Sequence, residues 1–131
     1  MAYLVGIVLA LLVALFAKYV GLDRDRAFYP TVLVVVASYY DLFAVMGGSM
    51  HTLGIELAVT LVFLAAVVVG FRRNLWIVVA GLAGHGLFDL IHPHVVVNAG
   101  VPVFWPAFCM SYDVVAALYL AGLLQQRQRQ P

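Results

Sequence analysis

A chain of 131 residues with 66% hydrophobic and 10% charged side chains, and a mean hydropathy of +1.07, is far from a soluble domain. Soluble domains are about half apolar and about a quarter charged, so the excess apolar surface here has to face lipid. The net charge of +1 gives no basis for binding nucleic acid or an acidic protein, and the single cysteine, Cys109, excludes an intrachain disulfide.

A helix needs roughly 20 apolar residues, at about 1.5 Å rise each, to cross the hydrocarbon core. Five stretches meet that requirement. The first, about 2–20, is followed by a charged turn over 21–26; it has no basic residue before it and reads as an uncleaved anchor, not a signal peptide. The second, about 31–46, stops at Gly47 and Gly48, and the third, about 52–70, stops before Arg72 and Arg73. The fourth, about 75–91, stops at His92 and Pro93, and the fifth, about 106–124, opens on Pro106, a favoured first-turn residue. Residues 125–131 form a polar tail with the composition of a disordered segment. Valine is frequent, but barrel strands alternate in polarity and these runs are apolar on all sides. The expected fold is therefore all-α: a single polytopic membrane bundle of five transmembrane helices.

Orientation follows from the basic residues. Lys18, Arg24, Arg26, Arg72, Arg73, Arg127 and Arg129 all fall on one side if there are five spans. The positive-inside rule then puts the N-terminus outside and the C-terminus in the cytoplasm of a cell (inner) membrane, with Trp76 and Trp105 as interfacial anchors at opposite faces.

In that topology all four histidines and four of the six acids fall on the outer side. Asp41 lies about 7 Å short of the outer end of span two. His51 is expected in the outer turn and Glu56 near the start of span three. His85 and Asp89 sit in the outer half of span four, His92 at its end and His94 beyond it. Cys109 and Asp113 lie in the outer half of span five. His85, Asp89 and His92 are spaced i, i+4, i+7, within about 60° of arc on one helix face. Gly81, Gly84 and Gly86 nearby would let other helices approach.

Each ionisable group inside a membrane costs about 2.5 to 3.5 kcal/mol on insertion scales and is a functional candidate for that reason. No lysine or arginine shares the outer half, so the four carboxylates require protons, imidazolium or a bound cation. Plainer roles exist for some of them. His51 and His94 could be solvated loop residues, Glu56 a complement to a helix dipole, and Cys109 a small core residue. Asp41 and Asp113 could accept hydrogen bonds from Tyr39, Tyr40 or Tyr112. The three-residue stripe on span four is harder to explain that way.

Imidazole with carboxylate suits zinc, iron or manganese, so His85, Asp89 and His92 are the candidate metal ligands, with His51 and Asp113 as further donors. Asp41, Glu56, Asp89 and Asp113 are the candidate acid–base groups. There is no Gly-rich phosphate loop, no G-x-S-x-G elbow and no C-x-x-C pair. Segment 94–105 is too short to span and too apolar for an ordinary loop, so it is expected to dip inward and cap the polar cavity.

The H-x3-D-x2-H of His85, Asp89 and His92 is followed by V-P-x-x-W-P-x-x-C over 101–109 and by Tyr112-Asp113. This arrangement, over about the last third of the chain, resembles an uncharacterised family of small multi-pass bacterial membrane proteins. The resemblance implies that both halves of the pattern serve one site, and it implies no activity. The reading favoured by the residues is a membrane enzyme working on a lipid or isoprenoid as hydrolase, isomerase or cyclase, by acid–base or metal-assisted chemistry. A redox subunit binding haem, through His85 and His51, or a quinone is the alternative. So is an accessory subunit of a larger complex, or a homo-oligomer. A proton or cation transporter is disfavoured because the inner halves of the spans are nearly pure Val, Leu, Ala and Ile.

Overall fold

A backbone in lipid has no water to bond with, so an apolar run satisfies its own N–H and C=O groups as a helix. In the computed structural model, which describes residues 1–130, α1 is Ala2–Val20, α2 Phe28–Met46, α3 Met50–Arg72, α4 Trp76–Val95 and α5 Trp105–Arg129. A 3₁₀ turn, Leu22–Arg24, follows α1. All five helices are long and apolar enough to cross a membrane, and no strand occurs among the described residues.

The helices outrun the apolar stretches that mark them. α2 starts at Phe28 because Pro30 falls in its first turn, where a missing N–H costs nothing. α3 starts at Met50, capped by the Ser49 hydroxyl accepting from the Thr52 N–H at 3.1 Å, so His51 lies inside a helix and not in a turn. α4 continues through Pro93 to Val95, losing one internal hydrogen bond in its last turn. α5 runs on through Arg129, so most of the polar tail is helical. Its Gln and Arg residues are good helix formers, and extending an existing helix is cheap.

The helix order in space differs from that in sequence. α1 buries a stripe of Gly6, Ala10, Ala14 and Ala17 against α5. A side chain at Gly6 would overlap the Phe108 carbonyl and the Ser111 hydroxyl, which is how closely the two backbones approach. α5 packs in turn on α4, α4 on α3, and α3 on α2. α1 does not pack on α2. A lateral crevice of about 260 Å3 opens between them, lined by Leu9 and Val13 on one side, Val32 and Val36 on the other, and floored by Cys109 and Tyr112 of α5. Most of the outward surface of α1 and α3 is Leu, Val and Ile, as lipid contact requires.

At one end of the bundle the basic residues tie the helices together. Arg26 Nε donates to the Phe71 carbonyl at 2.7 Å, satisfying a helix C-terminus, and Arg127 Nη2 donates to the Asp23 carbonyl at 2.7 Å. At the other end the α4–α5 loop folds back over the bundle. Val97 O accepts from Thr52 Oγ1 at 3.0 Å, and Gly100 sits so close to the Phe43 carbonyl that no Cβ would fit. Trp105 turns inward, with its ring 4.8 Å from Tyr39 and 4.9 Å from Phe43, and so belongs to an aromatic packing layer more than to an outward-facing belt.

Candidate functional site

Four buried side chains from α4 and α5 converge at one point. His85 Nδ1 lies 2.7 Å from Asp113 Oδ2 and 3.6 Å from Asp89 Oδ2. Cys109 Sγ lies 3.8 Å from Asp113 Oδ2. One ligand-type atom from each of His85, Asp89, Cys109 and Asp113 falls within 4.8 Å of the others, and all four residues are at most 2% exposed. The local sequence explains the convergence. His85 and Asp89 are one turn apart on α4, and Cys109 and Asp113 one turn apart on α5, so each helix offers two groups on a single face. Gly86 lets those faces meet, since a Cβ there would press on Val114 and the Met110 carbonyl. Gly81 does the same against Leu33 of α2, whereas Gly84 faces open space and takes no part.

A second buried pair lies nearer the loop. His92 Nε2 and Glu56 Oε1 are 2.5 Å apart, and Asn98 Nδ2 donates to the same Glu56 oxygen at 3.0 Å and to the Tyr40 carbonyl at 3.2 Å. Glu56 is in the second turn of α3 and is 1% exposed, so its role is to pair with His92 and not to complement a helix dipole. His92 does not join the His85 group. Seven residues along a helix amount to about 10.5 Å, so two side chains so spaced share a face but not one small ion. The buried group that could hold one ion therefore differs from the sequence-based set: it lacks His92 and includes Cys109.

Tyr40 of α2 joins the two groups. Its hydroxyl donates to Asp89 Oδ1 at 2.6 Å, and its ring stacks on His92 at 3.9 Å and 14°. Phe63, 4.7 Å from the His85 ring, and Phe88, 5.3 Å from the His92 ring, wall the groups with aromatic surface. Asp41 stands apart. It is only half-buried and accepts from Thr60 Oγ1 at 2.9 Å. The imidazoles of His51 and His94 also stand apart, because both residues are exposed. His51 thus leaves the ligand set as well, and the His85–His51 pair is removed as an axial haem set because the two rings do not share one buried interior.

The charge balance is unusual. Among the described residues, Asp41 Oδ1, Glu56 Oε2, Asp89 Oδ2 and Asp113 Oδ1 are buried and have no hydrogen-bond partner. Buried polar atoms are nearly always satisfied, and a carboxylate without compensation in an apolar interior is costly. No lysine or arginine lies on α4 or on the first four turns of α5 to supply that compensation.

Tyr40, Asn98, Thr60 and the place of Cys109 in the buried group are the site features that sequence reasoning misses. Asn98 has a signal, being the one amide in an otherwise apolar loop. Cys109 has one too, in its i, i+4 spacing to Asp113. Tyr40 has none beyond its place beside Asp41. The chain matches no protein family, no curated protein and no solved structure.

Proposed function

We propose that the chain is a membrane-embedded enzyme that performs acid–base or metal-assisted chemistry on a lipid or isoprenoid, with His85, Asp89 and Asp113 as the reacting centre. The observation that carries this reading is Cys109, which lines the lateral crevice and also belongs to the buried polar group. An apolar chain lying between α1 and α2 would reach the polar groups from the side, without leaving the hydrocarbon phase.

Apolar walls with a few convergent polar groups are the usual form of a small-molecule site. Inside a bilayer, however, a lipid chain gains little by exchanging lipid for protein, because the two are equally apolar. Selectivity would then come from shape and from Thr31, Tyr39, Cys109 and Tyr112, the polar residues among those that line the crevice. With no ion bound, the His85–Asp113 pair, at 2.7 Å, is suited to give up and retake one proton; with an ion held by these groups the chemistry would be metal-assisted instead. Such a pair serves isomerisation, cyclisation or hydrolysis.

The test is turnover in proteoliposomes supplied with extracted membrane lipid, followed by mass spectrometry of the lipid. A new lipid product should form with the unaltered protein and fall by at least about 100-fold in Asp113→Ala, within the range of general acid–base catalysis. Filling the crevice by Val36→Trp should also suppress it. Unchanged turnover in both Asp89→Ala and Asp113→Ala would refute the proposal.

A further inference from the structure

We infer that His85, Asp89 and Asp113 bind one divalent transition-metal ion, with the Cys109 thiol at the face of the ion turned toward the lateral crevice. The inference rests on the reading above only for the location of the site.

Three observations lead to it. The first is geometry: a tetrahedral ion with bonds of about 2.1 Å sets its ligand atoms about 3.4 Å apart. His85 Nδ1 to Asp89 Oδ2 is 3.6 Å, the 2.7 Å His85–Asp113 contact would open by roughly 0.7 Å, and Cys109 Sγ stands beside the ligands, 3.8 Å from Asp113 Oδ2. The second is satisfaction. Asp89 Oδ2 and Asp113 Oδ1 belong to side chains that are 0% exposed, and neither oxygen has a partner. Protons would not resolve this. A proton on Asp113 Oδ1 would find no acceptor, and one on Asp89 Oδ2 would face a His85 nitrogen that is 3.6 Å away and already bonded to Asp113. A cation would satisfy Asp89 Oδ2 directly, and Asp113 Oδ1 as well if the Asp113 carboxylate binds it through both oxygens.

The third is charge. Two carboxylates with a neutral imidazole balance one dication, leaving Cys109 as a thiol and the fourth position open to substrate. A single imidazolium balances only one of the two acids. The mixture of imidazole and carboxylate, with sulfur nearby, selects zinc, iron(II) or manganese over magnesium or calcium. Tyr40 then acts as an orienting group, because its hydrogen bond to Asp89 Oδ1 fixes the carboxylate so that the other oxygen faces the ion.

The experiment is element analysis of detergent-purified full-length protein, prepared without chelators and loaded separately with Zn2+, Fe2+ or Mn2+. A single equivalent of one of these ions should remain after desalting. It should be lost in His85→Ala and Asp113→Asn, and retained in His51→Ala and His94→Ala. Affinity should drop by about 10- to 100-fold in Tyr40→Phe, the usual effect of removing an orienting partner. Because ligand variants could misfold, a second measurement uses the unaltered chain: Co2+ should give visible absorption and raise the melting temperature in detergent. No retained ion and no Co2+ spectrum would overturn the inference, as would metal that disappears with His51 or His94. Metal content is read without any lipid present, so a bound ion with no lipid turnover sinks only the enzymatic reading, and turnover without an ion sinks only this one.

Discussion

Tyr40 uses two parts of one side chain for two different partners, its hydroxyl for Asp89 and its ring for His92. Removing the hydroxyl alone separates those roles. Interhelical hydrogen bonds in membranes average only about 0.6 kcal/mol, but a buried acceptor left unpaired costs about 1 to 3 kcal/mol. Asp89 already has one oxygen without a partner, so the larger range applies. Tyr40→Phe should therefore lower the melting temperature in detergent by several degrees while keeping the ring stack and the helical circular dichroism. The Glu56–His92 pair allows a cleaner measurement. A double-mutant cycle over Glu56→Gln and His92→Gln should return a coupling of about 1 to 3 kcal/mol. Additive effects would mean that the two groups act independently in spite of their contact.

At the scale of the elements, two glycines decide whether the polar groups meet at all. Gly86→Val would push α4 from α5 at the level of His85, so the His85–Asp113 contact should be lost and the protein destabilised by about 1 to 3 kcal/mol through overpacking. Gly100→Ala would meet the Phe43 carbonyl, a backbone atom that cannot turn aside. The loop over 96–104 should then lift, Asn98 should leave Glu56, and limited proteolysis of the loop should quicken. These contacts also mark what the chain discloses before it is folded. The five helices are legible because about 20 apolar residues in a row have no other stable form in lipid. The four-group site is half legible: periodicity along α4 aligns His85 with Asp89, and along α5 aligns Cys109 with Asp113. Periodicity says which residues share a face but not which neighbour that face meets. Hence spacing alone groups His92 with His85 and hides its true partner Glu56, on another helix and 36 residues away.

For the molecule as a whole, the separation of basic residues from the buried acids of α3, α4 and α5 gives a topology that can be measured. Alkaline phosphatase fused after Arg129 should be inactive and green fluorescent protein at the same point fluorescent, as a cytoplasmic C-terminus requires. The reverse pattern would place the polar half on the cytoplasmic side. The crevice makes a second whole-molecule prediction, since Cys109 is the sole thiol. An apolar maleimide dissolved in the bilayer should label it more than about 10-fold faster than a charged, water-soluble one, and Val36→Trp should abolish the difference. That factor corresponds to about 1.4 kcal/mol of preferred access from lipid.

The pairing of α1 with α5, and its lack of contact with α2, also sets a schedule for biosynthesis. α1 is made before its only large partner, α5, and is separated from it by the roughly 85 residues between Val20 and Trp105. At ribosomal speeds of about 5 to 20 residues per second that is a wait of roughly 4 to 17 s. During it α1 must persist alone in the bilayer, which its outer surface, apolar up to Lys18 in the last turn, allows and its narrow Gly–Ala stripe does not disturb. The crevice therefore forms only once α5, which supplies its floor, has arrived.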